Sequence, residues 1–315
     1  MPQPRILLAA LLVACGADKS DDSAASDNTG DTPLADVYTL DESTDFPEGI
    51  AYDPEGRAFW ISSVGHGGVF SVSADGSLTT IHTPEESDWS TLGVLYDAGQ
   101  VHVCAVRFAS TDDAVSELWS FDAATGARTH TVPLAGTPNN CNDLVVDGDS
   151  VYLTDRESSR IHHVDLSTDT AEVWFDDPIL EPQVIGNNGI VLTNDNALLV
   201  GQYAPPRIVR IPVDSREAAH EVPLSGDDIG TVPNGADGIR WWQGDLLIAA
   251  NERLVRVSTS DNWSSGTATA TDLDFGICAV TEAEGRAYGL KGEIVAYVLG
   301  LEAELPFEIR ALTVP

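Results

Sequence analysis

The chain is poor in positive charge. Of its 315 residues only two are lysine, Lys19 and Lys291, and Lys and Arg together number 16 against 50 Asp and Glu, a formal net charge of −34. Such a surface repels phosphate backbones, which excludes nucleic acid as a partner, and it keeps the protein soluble and self-repelling, in keeping with a monomer. Long apolar runs are also scarce: the longest, at the N-terminus, covers eight residues from Ile6 to Val13, too short for a mature membrane span. Nothing after residue 46 has the period of an amphipathic helix. The chain contains no phosphate-cradling Gly loop, no HExxH and no GxSxG, so nucleotide, zinc-protease and serine-hydrolase chemistries lack their usual carriers. Hydrophobic residues still make up 43%, enough for a core, so the acidity belongs to the surface.

The first 35 residues read as an address and a tether. Arg5 precedes the apolar run, which ends Leu12-Val13-Ala14-Cys15. That pattern resembles the lipobox of bacterial lipoproteins, which implies a signal peptide over 1–14, cleavage before Cys15 and a lipid on its thiol. The next segment, to about residue 35, is Asp, Ser, Ala and Gly with little to bury, the composition of a solvated linker. The expectation is an exported protein held in the cell envelope by Cys15 alone, at an outer membrane where Gly16 follows the cysteine.

From residue 36 to 315 the sequence is expected to be one all-β domain. Short alternating segments are punctuated by Gly, Asp and Pro, with Asp75-Gly76 and Asp147-Gly148 as hairpin turns. A unit of one apolar strand followed by three others restarts at Glu48-Gly-Ile, Leu92-Gly-Val, Asn142-Asp-Leu, Asn188-Gly-Ile, Asp237-Gly-Ile and Phe275-Gly-Ile, in steps of 44, 50, 46, 49 and 38 residues. Four-stranded units at a period near 45 predict a β-propeller. Six starts (near 46, 90, 139, 185, 233 and 275) predict six antiparallel blades around a central channel. Val37-Tyr-Thr-Leu is placed to pair with the C-terminal strand beginning at Phe307 and close the ring, leaving no long exposed edge.

In a propeller the first residues of the innermost strands meet at one mouth of the channel. At that phase stand Glu48, Leu92, Asn142, Asn188, Asp237 and Phe275. Four are oxygen donors on four different blades. Two carboxylates and two amides on one axis suit a hard divalent cation such as Ca²⁺, and no His or Cys shares the phase to suggest zinc. Asn-Gly and Asp-Gly are also common turn dipeptides, but here each leads into an apolar strand.

These pieces, Pro47-Glu48-Gly49, Asn142-Asp143, Asn188-Gly189 and Asp237-Gly238, resemble the regucalcin/gluconolactonase family of calcium-dependent six-bladed propellers. The resemblance implies Glu48, Asn188 and Asp237 as metal ligands and Asn142 beside them against substrate or its water. It implies a hydrolase of lactones or related esters, with Asp237 and Asn142 as catalytic groups. Lactonases of the family carry an arginine where this chain has Asn140, and a Pro where it has Ile50. Asn140 and His66, in Val64-Gly-His-Gly-Gly, are further candidates for substrate contact. The other reading is a lipid-anchored propeller that binds a ligand or protein partner and whose ion is structural. Cys104, late in a strand of the second blade, and Cys141, opening the third, are candidates for a disulfide at one mouth.

Overall fold

The computed structural model describes residues 33–107, 114–230 and 235–315. Cys15 and the expected signal peptide lie outside them. Among the described residues no helix is long and apolar enough to cross a membrane.

Six sheets form six blades, the architecture the repeat predicts. Their innermost strands are Pro47–Asp53, Trp89–Asp97, Cys141–Asp147, Ile185–Leu192, Ile239–Trp242 and Ala279–Ala283. The sixth blade is finished by both ends of the chain: Val37–Thr39 pairs with Glu308–Leu312, Val37 opposite Arg310 and Thr39 opposite Glu308. Blade five departs from the four-stranded expectation. Its antiparallel set gains a fifth strand, Leu224–Gly226, lying parallel to the long outer strand Gly266–Ile277. One short helix, Ile294–Leu299, interrupts blade six.

The ring is held by apolar contacts between blades. On a strand, neighbouring side chains point to opposite faces, and in a propeller both faces meet a neighbouring blade. Ile50, Phe59 and Ile61 therefore pack toward blade six, among Tyr288, Leu290 and Ile309. Ala51 and Trp60 pack the other way, against Val94, Val103 and Trp119 of blade two. The same division repeats around the ring, giving six apolar clusters, each shared by two adjacent blades. Burial on both faces explains why all seven residues of Pro47–Asp53 are buried. Cys104 and Cys141 are joined as a disulfide with Cα atoms 5.9 Å apart, tying blade two to blade three.

The sixth inner strand corrects one position. Phe275 lies on the outer strand of blade five, and the residue in phase with Glu48 is Cys278. Cys278 lies against the neighbouring blade, its Sγ 3.3 Å from the Glu48 carbonyl oxygen. The Phe-Gly-Ile triplet copies the sequence pattern of a blade start, but Gly266–Ile277 runs through it without a turn.

Candidate metal and active site

A repeated backbone irregularity builds the upper mouth, where the inner strands begin. In blades one to four the pairing of the inner strand slips between Pro47 and Ile50, Thr91 and Val94, Cys141 and Leu144, and Asn187 and Ile190. Each slip brackets the residue in phase with Glu48. A bulge bends the strand and re-aims its side chain, so four blades turn the same position toward the axis.

Close approach of the blades explains the glycines. A Cβ on Gly49 would stand 2.5 Å from the Leu92 carbonyl oxygen, and one on Gly189 2.6 Å from the Ile239 nitrogen. Neither has the positive φ of a tight turn. Adjacent inner strands touch at this layer, with Gly238 N–H donating to the Cys278 carbonyl at 3.0 Å. The dipeptides that look like turns are therefore packing sites at the axis.

Blade three breaks the pattern, with Asp143 where blades one, two, four and five have glycine. Its carboxylate takes two bonds from Arg240 (2.7 and 3.1 Å), which also donates to the Val94 carbonyl at 3.0 Å. This buried pair crosses the channel beneath the upper layer. Charge-assisted two-point pairing of this kind is rigid and directional.

Above it Glu48, Asn188 and Asp237 interact with one another, and Asn142 holds the same phase on blade three. Asn188 Nδ2 donates to Asp237 Oδ1 at 2.8 Å. Burial, then the nearby Asp237 and Asp143 charges, hold the Glu48 carboxyl well above the ordinary range, against the opposing pull of Arg156 and Arg240. Burial likewise pushes Asp237 up to about 7, although the Asn188 bond and Arg156 favour its charged form. Asp237 keeps some surface toward the channel but is otherwise enclosed by protein, so its charge is poorly solvated. Burial, with Asp237 and Glu48, also raises the Cys278 thiol well above its usual value.

Asn142 and Asn140 are both buried, and their Oδ1 atoms have no hydrogen-bond partner. A buried carbonyl oxygen left so is costly, and it invites a cation, water or ligand. The upper layer thus offers two carboxylates that resist ionising together and amide oxygens that lack donors. These residues fit a hard cation with an all-oxygen shell. Among the described residues no three His, Cys, Asp or Glu side chains cluster as metal ligands; two of the donors here are amides.

His66 lies between the second and third strands of blade one, with Nδ1 accepting from Gly68 N–H (3.1 Å) and Nε2 against the Ser43 carbonyl (2.7 Å). Both ring nitrogens thus have local partners. Sequence reasoning missed Arg156, Asp143, Arg240 and Cys278. Asp143 was visible as the one acid replacing a phase-locked glycine, and Arg240 as the one charged residue at the phase of Ala51, Leu95, Val145, Val191 and Thr281; Arg156 enters from a turn with no repeat to mark it.

No protein-family model and no curated protein matches the chain. Several solved structures resemble its fold. The major allergen Mala s 1 of Malassezia sympodialis superimposes with a TM-score of 0.71 at 15% identity, over 89% of this chain and 97% of that one. Regucalcin of Agrobacterium tumefaciens, described as a calcium-binding protein, gives 0.59 at 17% over 88% and 93%. A luciferin-regenerating enzyme gives 0.60 at 12% over 88% and 95%. At such identities the likeness is one of fold.

Proposed function

We propose that this chain is a hydrolase of lactones or related esters that works with a divalent cation, best matched by Ca²⁺, at the upper mouth of the propeller. The observation carrying this reading is the in-phase gathering of Glu48, Asn142, Asn188 and Asp237 from four blades, with two strained carboxyls and an orphaned amide oxygen among them. Solved structures of similar fold support it, among them the calcium-binding protein regucalcin.

Glu48, Asn188 and Asp237 would hold the ion. When bound, it supplies positive charge that polarises a carbonyl and steadies the developing oxyanion. Asn188 fixes Asp237 through one carboxylate oxygen, leaving the other for water. Asp237, oriented by Asn188, would take a proton from attacking water and return it to the departing alkoxide as the acyl C–O bond breaks. Asn142 would orient the carbonyl or the water. Arg156 supplies a guanidinium from the turn after the strand Ser150–Asp155, its backbone N–H donating to the Asn140 carbonyl at 2.9 Å. In this reading it stands in for the arginine absent at Asn140. The reading includes export and anchoring through Cys15, tested by incorporation of labelled palmitate that a Cys15→Ser change abolishes.

Elemental analysis together with proton-release assays on a lactone panel tests the proposal. One equivalent of calcium and hydrolysis that Asp237→Ala removes would support it. One equivalent of metal with no hydrolysis of any lactone would favour the second reading, a binding propeller with a structural ion, which the amide at Asn140 motivates.

A further inference from the structure

The lower mouth of the channel opens into a cavity chemically unlike the upper mouth. Its volume is about 380 Å³, within the usual range of small-ligand sites, roughly 300–1,000 Å³. It is lined by residues near the ends of all six inner strands, among them Tyr52, Tyr96, Val146, Leu192, Trp241 and Glu282. All six stand four residues beyond the upper-mouth position of their own blade, so the same repeat that gathers the oxygen donors above gathers this set below.

Three aromatic side chains from three blades contribute to the wall. Trp241 is held in place, its Nε1 donating to the Leu192 carbonyl at 2.9 Å and its ring packed edge-on against Trp263. The Tyr52 hydroxyl is bonded to Glu284 at 2.9 Å. Burial, then the Asp53 and Glu55 charges, raise the Tyr96 hydroxyl. Burial with Glu284, whose carboxylate is paired with Arg57 at 2.6 Å, pushes Tyr52 up to about 12. Glu282 is exposed at the wall itself. Arg240 is the only cation among the lining residues, and its charge is engaged by Asp143 at the deep end.

Aromatic faces attract cations through their quadrupole, and attract them more strongly where water is thinned and carboxylates add to the field. An anion would meet Glu282, and a neutral apolar ligand would leave the carboxylate unused. We propose that the lower mouth binds a small organic cation, an amine or quaternary ammonium, between Tyr52, Tyr96 and Trp241 with Glu282 as its counter-charge. The proposal does not rest on the chemistry assigned to the upper mouth.

The test titrates the full chain with choline and with 3,3-dimethylbutan-1-ol, its neutral match in shape, by calorimetry in excess Ca²⁺ and again in excess chelator. Choline is expected to bind at least about tenfold tighter than the alcohol, equally in both conditions. Glu282→Gln, an exposed change that leaves the core intact, is expected to weaken choline at least about fivefold, as is Trp241→Leu where its circular dichroism stays native. Asp237→Asn is expected to leave choline binding unchanged. Equal affinity for the two probes, no binding of choline, or loss of binding in Asp237→Asn would each overturn the assignment.

Discussion

Replacing Asp237 with asparagine removes one titrating group from the upper mouth while keeping its shape and its bond to Asn188. In the metal-free protein the Asp237 carboxyl, pushed up to about 7 against an ordinary 3.8, is held neutral by the fold. A raised folded pKa makes the stability contribution complete below the unfolded value and lost as pH rises toward the folded one. Between pH 5 and pH 8 the wild type should therefore lose roughly 2–3 kcal/mol that the asparagine variant keeps, since each pKa unit is worth about 1.4 kcal/mol. Urea denaturation in chelator at both pH values measures this. The stability of Asp237→Asn relative to wild type should rise with pH, and saturating Ca²⁺ should reverse the order by stabilising only the wild type. A difference between the two proteins that stays constant from pH 5 to 8 would refute the claim that burial strains this carboxyl.

Other consequences follow from the same geometry. Gly189→Ala places a Cβ 2.6 Å from the Ile239 nitrogen and should cost about 1–3 kcal/mol by denaturation, with weakened metal binding as the blades separate. His102, buried against Ser120 and with its pKa lowered to about 4 by burial, stays neutral in the fold. Its contribution is present above pH 6.5 and lost as pH falls toward 4, about 3 kcal/mol in all, so His102→Gln should flatten the acid limb of the stability curve. Replacing both Cys104 and Cys141 with alanine opens a link across 37 residues and should lower stability by about 2–4 kcal/mol, read as a shift in urea midpoint.

The blade count and ring closure were legible because propeller packing repeats at a period that neither charge nor surface loops disturb. Val37–Thr39 could be matched to the C-terminus because an unclosed ring would leave both segments as exposed edges. The phase of Glu48, Asn142, Asn188 and Asp237 was legible for the same reason. Phe275 misled because a glycine between two apolar residues is a weak marker once an outer strand runs to twelve residues. The pairing of Arg240 could not be foreseen, because its partner Asp143 lies on another blade, 97 residues away. Arg156 reaches the site only through the pairing of two strands in blade three, where Cys141 opposes Asp155.

Calorimetric titration of Ca²⁺ into the metal-free chain at pH 7 tests the central claim most directly. The upper mouth predicts one site per chain, with protons released as the ion displaces them from Glu48 and Asp237, and loss of binding in both Glu48→Gln and Asp237→Asn. Absence of binding, or binding that survives both substitutions without proton release, would contradict it.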